Sequence, residues 1–121
     1  MTTFKVFLRI ERDGIPFRTF TKRLEVDETQ SGTYEQDDDA DSGAFTALPS
    51  SQLFDIQLLM IQPNRQCTIR LDGQSDSGIT LNGDGILLIV DAVIDSAPAT
   101  NAVINNTSGA AALIDFIAGG T

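Results

Sequence analysis

Apolar and polar residues alternate with period two along most of this chain, the pattern of half-buried β-strands. Between Thr3 and Glu11, Phe4, Val6, Leu8 and Ile10 point one way and Lys5, Phe7, Arg9 and Glu11 the other. Asp13-Gly14 follows, a hairpin signal because both residues tolerate positive φ. The return strand runs from about Ile15 to Val26, with Phe20, Leu24 and Val26 on one face. From Leu53 the apolar material is continuous. Phe54, Ile56, Leu58 and Met60 are expected on one face of a strand, and Leu53, Asp55, Gln57, Leu59 and Ile61 on the other. Pro63-Asn64 turns the chain, and Cys67, Ile69 and Leu71 then alternate with Gln66, Thr68, Arg70 and Asp72. After a short strand at Ile79 to Leu81, the Asn82-Gly83-Asp84-Gly85 turn opens into the longest apolar run. There Ile86, Leu88, Val90, Ala92 and Ile94 are expected to face the core. A strand at Asn101 to Asn105, a turn at Asn106-Thr107-Ser108-Gly109 and a strand from Ala110 to Ala118 complete the series. The last strand places Ala112, Ile114, Phe116 and Ala118 inward.

Eight or nine short antiparallel strands with turn chemistry between them predict an all-β, single-domain β-sandwich, jelly-roll-like in architecture. The domain spans 1–121, with a hairpin at 1–26, a polar loop region at 27–52 holding at most a short strand near Gln30 to Gln36, and core strands at 53–121. The length suits one core.

A sandwich strand needs one apolar face, and several strands here have two. Opposite the inferred core lie Leu87, Ile89 and Val93 on the longest apolar strand, Leu59 and Ile61 on the strand from Leu53, and Leu113 and Ile117 on the last, with Phe7 on the first. Two arrangements account for this. The N-terminal hairpin or the acidic loop covers these residues, or they meet identical subunits in a homo-oligomer. The oligomer is the expectation, because two-sided apolar strands are uncommon in a small monomeric sandwich.

Charge divides the chain. Net charge is −9, yet residues 1–23 carry Lys5, Arg9, Arg12, Arg18, Lys22 and Arg23 against Glu11 and Asp13, a net of +4. Residues 24–64 carry nine acids and no base. The overall balance argues against nucleic acid as a partner. It allows the basic hairpin of one copy to meet the acidic region of another, or serves solubility alone. No apolar run approaches the ~20 residues that span a bilayer, so no membrane partner is expected. Met1-Thr2-Thr3-Phe4-Lys5 lacks the pattern of a signal peptide, and synthesis in a cytoplasm is expected.

Candidate chemistry is sparse. Histidine is absent, which removes the commonest general base and metal ligand. The single cysteine, Cys67, reads as a small buried hydrophobe. Asp37, Asp38, Asp39 and Asp41 offer oxygen ligands to a hard cation, but adjacent aspartates splay apart, and a solvated loop is the simpler reading. The segment Asp72 to Gly78 starts like a calcium loop but lacks Gly at its sixth position. Asp91 and Asp95 share a strand face among apolar neighbours, without the aromatic platforms of a glycosidase. The overlapping sequons in Asn105-Asn106-Thr107-Ser108 read as turn residues. No enzyme, cofactor or metal is expected.

The layout Arg70-Leu71-Asp72-Gly73, Ile79-Thr80-Leu81, Asn82-Gly83-Asp84-Gly85-Ile86-Leu87-Leu88, Asn105-Asn106-Thr107-Ser108-Gly109 and a final strand ending Gly119-Gly120-Thr121 resembles the small β-sandwich structural proteins of tailed bacteriophage particles. The basic hairpin followed by Ser31-Gly32-Thr33-Tyr34 is similar to their N-terminal part. The acidic Asp37–Asp41 insertion departs from that layout. The resemblance implies a non-enzymatic virion protein, a capsid decoration or neck/tail component, made in the host cytoplasm. It would bind itself and a capsid or tail protein through many weak contacts. The alternative is a carbohydrate- or receptor-binding sandwich with a glycan as partner, which calls for exposed aromatics over a groove; only Tyr34 and Phe45, near the acidic loop, qualify.

Overall fold

Asp13 and Gly14 take φ of 53° and 77°, the two successive positive values of a tight two-residue turn, and they join β1 (Thr2–Arg12) to β2 (Ile15–Val26). In this computed structural model, which describes residues 1–38, 46–47, 55–71, 78–95 and 103–120, that hairpin forms a two-stranded sheet of its own. The remaining strands are β3 (Glu28–Gln36), β4 (Thr46–Ala47), β5 (Asp55–Pro63), β6 (Cys67–Arg70), β7 (Ile79–Leu81), β8 (Leu87–Asp95), β9 (Val103–Asn106) and β10 (Ala112–Gly120). Among the described residues there is no helix.

These strands build two four-stranded sheets, ordered β3-β10-β5-β8 and β4-β9-β6-β7. Every described pairing is antiparallel. The partners are nested: β6 with β7, β5 with β8, β4 with β9 and β3 with β10. The chain thus runs out through four strands and returns beside them through the next four. Ile56, Leu59 and Ile61 of β5 and Ala112, Ile114 and Ala118 of β10 form one buried cluster with Cys67 and Ile69 of β6 and Ile104 of β9. The cluster joins the two sheets face to face and makes the chain an all-β sandwich. Each fully buried aliphatic side chain in it contributes about 1.5–3 kcal/mol.

Alternation places β6 and β10 as expected, with Cys67, Ile69, Ala112, Ile114, Phe116 and Ala118 all buried. It misplaces β5 and β8. Gly119 and Gly120 of β10 pair with Leu58 and Ile56, leaving Gln57 as an extra residue on β5. One extra residue exchanges the two faces of a strand. Ile56 therefore enters the core before the bulge, and Leu59 and Ile61 enter it after, while Leu58 turns outward. Across from Gln57, β8 bulges as well, between Val90 and Ile94, with Asp91 at φ 56°. Leu87 and Ile89 pack against the core, whereas Leu88 and Ile86 are exposed. The expected inner and outer faces of β8 are thus reversed over this stretch.

The base of the hairpin covers the β5 and β8 part of the outer face of the β3-β10-β5-β8 sheet, together with Ile117 of β10. Leu24 and Val26 of β2 and Leu58 of β5 form a second buried cluster, packed by Phe4, Val6, Val90 and Ile117. Gly119 allows this approach: a Cβ there would stand 3.1 Å from Val26 Cγ2 and 3.5 Å from Phe4 Cε2. The two apolar faces of β5 and β8 therefore serve two cores, one between the sheets and one under the hairpin.

The polar stretch after Val26 also differs from expectation. It forms β3, a full nine-residue strand paired along its length with β10. Its sequence lacks sustained apolar alternation, and its place at the sheet edge explains why it needs none. Asp39 and Asp41 lie outside the described residues, so the cation reading of that loop falls outside them too.

Candidate interaction surface

The hairpin is longer than the body strands it crosses. Strands β1 and β2 have 11 and 12 residues, against nine in β5, β8 and β10. Its register pairs Phe4 with Leu24, Val6 with Lys22, Leu8 with Phe20 and Ile10 with Arg18, all on one face. This face starts as an apolar stripe packed on the body, with Leu24 buried and Phe4 and Val6 half-buried. It continues past the body, where Leu8, Ile10 and Phe20 are 41%, 45% and 55% exposed. A register shift between Ile10 and Glu11 leaves Phe17 as an extra residue near the tip. Phe7 on the opposite face and Ile15 and Phe17 near the turn are also largely exposed. The distal hairpin is therefore an arm with apolar side chains exposed on both sides, which makes it the candidate interaction surface of the chain.

Cations surround these side chains. The Lys5 ammonium lies 5.0 Å from the Phe7 ring centroid and the Arg18 guanidinium 5.8 Å from that of Phe17, each in cation–π range. Arg9 pairs with Glu11 at 2.9 Å along the same strand. Lys22 reaches across to Asp91 of β8 at 2.6 Å and ties the arm to the body where it leaves it. Beside that tie, Val6, Leu8, Phe20, Leu88 and Val90 line an apolar hollow of about 240 Å³. Residues 1–26 hold six cations against Glu11, Asp13 and Glu25, a net of +3, while the rest of the chain holds Arg65 and Arg70 against fourteen acids, a net of −12.

The residues expected at an oligomer interface separate into groups. Leu59 and Ile61 have no exposure and cannot touch another subunit. Leu87 and Ile89 are half-buried against the same core, and Ile117 packs under the hairpin. These placements correct the expectation, and the causes are the bulge at Gln57 and the cover supplied by the arm. Leu113 is exposed, on the outer face near the β3 edge. The side chain of Val93 lies outside the described residues. Conversely, Leu8, Ile10 and Phe20, expected to face inward, end on open surface. The missed signal was length: a hairpin two or three residues longer per strand than its neighbours must overhang them.

Other candidates resolve into structure. Asn106 is fully buried, and its Nδ2 donates to Gln36 O at 3.0 Å and to Ala110 O at 2.7 Å. Its Oδ1 accepts from Ser108 N at 3.1 Å. The Ser108 hydroxyl lies 2.7 Å from that oxygen and 2.8 Å from Ala110 O, and donates its one proton to either. Asn106 therefore joins the β9–β10 turn to the end of β3. Tyr34 packs edge-on to Phe116, ring centroids 6.0 Å apart, against the core; it is no exposed platform for a sugar. Phe45 lies outside the described residues. Among the described residues no group of three or more His, Cys, Asp or Glu side chains converges as metal ligands would. No protein-family model and no curated protein matches the chain.

Proposed function

We propose that this chain is a non-enzymatic structural subunit of a tailed-phage particle, a capsid decoration or neck/tail component that self-associates and attaches through repeated contacts. The observation that carries the reading is the arm. A two-stranded projection with apolar side chains on both faces and a basic charge is costly to leave in water, and it suits a subunit whose neighbours cover it. The nested pairing of β3 to β10 supports reading the sandwich as a jelly roll, an architecture used in viral coats. The sequence layout described above supports the phage assignment. Multivalent display would turn many weak arm contacts into firm retention.

The carbohydrate-binding alternative loses one of its two aromatics, because Tyr34 packs against the core. The test is fractionation of purified particles followed by quantitative mass spectrometry, alongside light scattering of the isolated chain. Recovery with intact particles in many copies is the expected result. Recovery only in the soluble fraction, as a single chain, refutes the proposal.

A further inference from the structure

The sheet that carries the arm is polar in its organisation: the arm leaves over one edge strand, and an uncovered acidic and apolar area lies at the other. The arm leaves over β8, where Lys22 meets Asp91 and where Leu88 and Val90 line the hollow beside Leu8 and Phe20. At the opposite edge are β3 and its neighbour β10, which contain no lysine or arginine. On their outer face Leu113 is 49% exposed and pairs in register with Glu35, while Asp115 pairs with Thr33 and accepts its hydroxyl hydrogen bond. Asp37 and Asp38, just past the end of β3, are exposed as well. The chain's own arm covers Ile117 on this face but leaves Leu113 open.

We propose that the distal arm of one copy docks on the β3–β10 outer face of a second copy, with Phe17 and its neighbours over Leu113 and the arm cations against Glu35 and Asp115. The inference rests on the self-association reading above and names its partner and its two surfaces. Charge selects this arrangement over arm-on-arm packing. Two arms of net +3 repel, whereas an arm and a body of net −12 attract. Area permits it. Phe17 and Phe20 are each more than half exposed. With Leu8, Ile10 and Ile15, and without Phe7 on the opposite face, they present roughly 500 Å² of apolar surface, taking about 200 Å² for each full side chain. The arginines bring the arm towards the roughly 800 Å² per partner of a stable interface. Reach also permits it, since the five residues of β1 beyond Phe7 extend about 17 Å at ~3.4 Å each. Because the donor and acceptor surfaces differ, the contact is head-to-tail, and it closes into a ring or continues as a filament.

The test uses the full chain. Light scattering at micromolar concentration is expected to give a multiple of the single-chain mass, falling in molar salt. The double variant Ile10→Asp with Phe17→Asp is expected to have the mass of one chain and unchanged β circular dichroism, since both side chains are exposed. Disulfide trapping checks the pairing even if that variant fails to fold. A Phe17→Cys copy mixed with a Leu113→Cys copy should cross-link to each other on mild oxidation, and buried Cys67 does not compete. Phe17→Cys alone should stay uncross-linked. A single-chain mass for the wild type overturns both this inference and the self-association reading. An oligomeric wild type whose Phe17→Cys copies link arm to arm, or whose mixed copies do not link, overturns this inference alone.

Discussion

Replacing Asn106 with alanine tests what closes the sandwich. The side chain has no exposure and holds the Gln36 and Ala110 carbonyls and the Ser108 amide at one point. In the alanine variant the Ser108 hydroxyl turns fully to Ala110 O, 2.8 Å away, so that carbonyl keeps a partner. The Gln36 carbonyl loses its side-chain donor and the Ser108 amide its acceptor. A buried polar group stripped of a partner costs about 1–3 kcal/mol, and the amide is only part-buried, so the loss should be about 3 kcal/mol. Against a total stability of about 5–15 kcal/mol this is large. With a urea m-value of about 1–3 kcal/mol per molar, the unfolding midpoint should fall by roughly 1–3 M at constant m. Asn106→Asp sharpens the test. It keeps the acceptor for Ser108 but turns a carboxylate oxygen towards two carbonyls. Burial and those carbonyls raise the folded-state pKa of the new carboxyl above its unfolded value of about 3.9. Below the unfolded pKa the acid is protonated in both states and donates, so the penalty is absent; it grows as pH rises towards the folded pKa. Asn106→Asp should thus be less stable than Asn106→Ala at pH 7 and recover as pH falls. A midpoint shift in Asn106→Ala below about 0.3 M, or an aspartate variant as stable as wild type at pH 7, would refute the reasoning.

Three further outcomes follow from the packing. Ile89→Lys places a cation against the inter-sheet core and should abolish cooperative unfolding, read by circular dichroism; an intact fold with lost assembly would restore Ile89 to an interface. Gly119→Ala adds a methyl 3.1 Å from Val26 and should loosen the arm base by about 1 kcal/mol, seen as faster limited proteolysis within residues 1–26 while the body keeps its β signal. Lys22→Ala removes an ion pair whose side chains are 52% and 51% exposed, so its thermal midpoint should fall by the equivalent of less than about 1 kcal/mol, and by less still in high salt.

Fold class, the Asp13-Gly14 hairpin, and the inward faces of β6 and β10 were legible: β6 sets Thr68 and Arg70 opposite its apolar side, and β10, although Leu113 and Ile117 make its outer side apolar too, keeps its alternation unbroken from Ala112 to Ala118. Strands β5 and β8 were not, because both of their faces are apolar. Period two then tells that a strand exists but not which side faces the core, and the extra residue at Gln57 has no sequence mark of its own. β3 was hidden for the opposite reason: an edge strand draws its stability from the ladder with β10 and needs little apolar surface. The exposed apolar surface was half legible. The sequence showed apolar surface in excess and a basic N-terminal hairpin. It did not show that the hairpin base would cover the body's surplus while its tip displayed a surplus of its own.

The nested pairing sets an order in time. The hairpin joins residues at most 24 apart, Thr2 with Val26, whereas β3 joins residues as far apart as Glu28 and Gly120. Local contacts form first, and distant ones wait on loop closure. On a ribosome adding roughly 5–20 residues per second, β10 follows β2 by about 4–17 s. Throughout that interval the arm is synthesised but its covering partners on β5, β8 and β10 are not complete, so Phe4, Val6, Leu24 and Val26 are as open as the tip. Neighbouring nascent chains on one message would meet arm to arm before any body has closed, with only the shared positive charge to keep them apart. The six cations of the hairpin would then act first as a guard against premature association, before serving the finished fold.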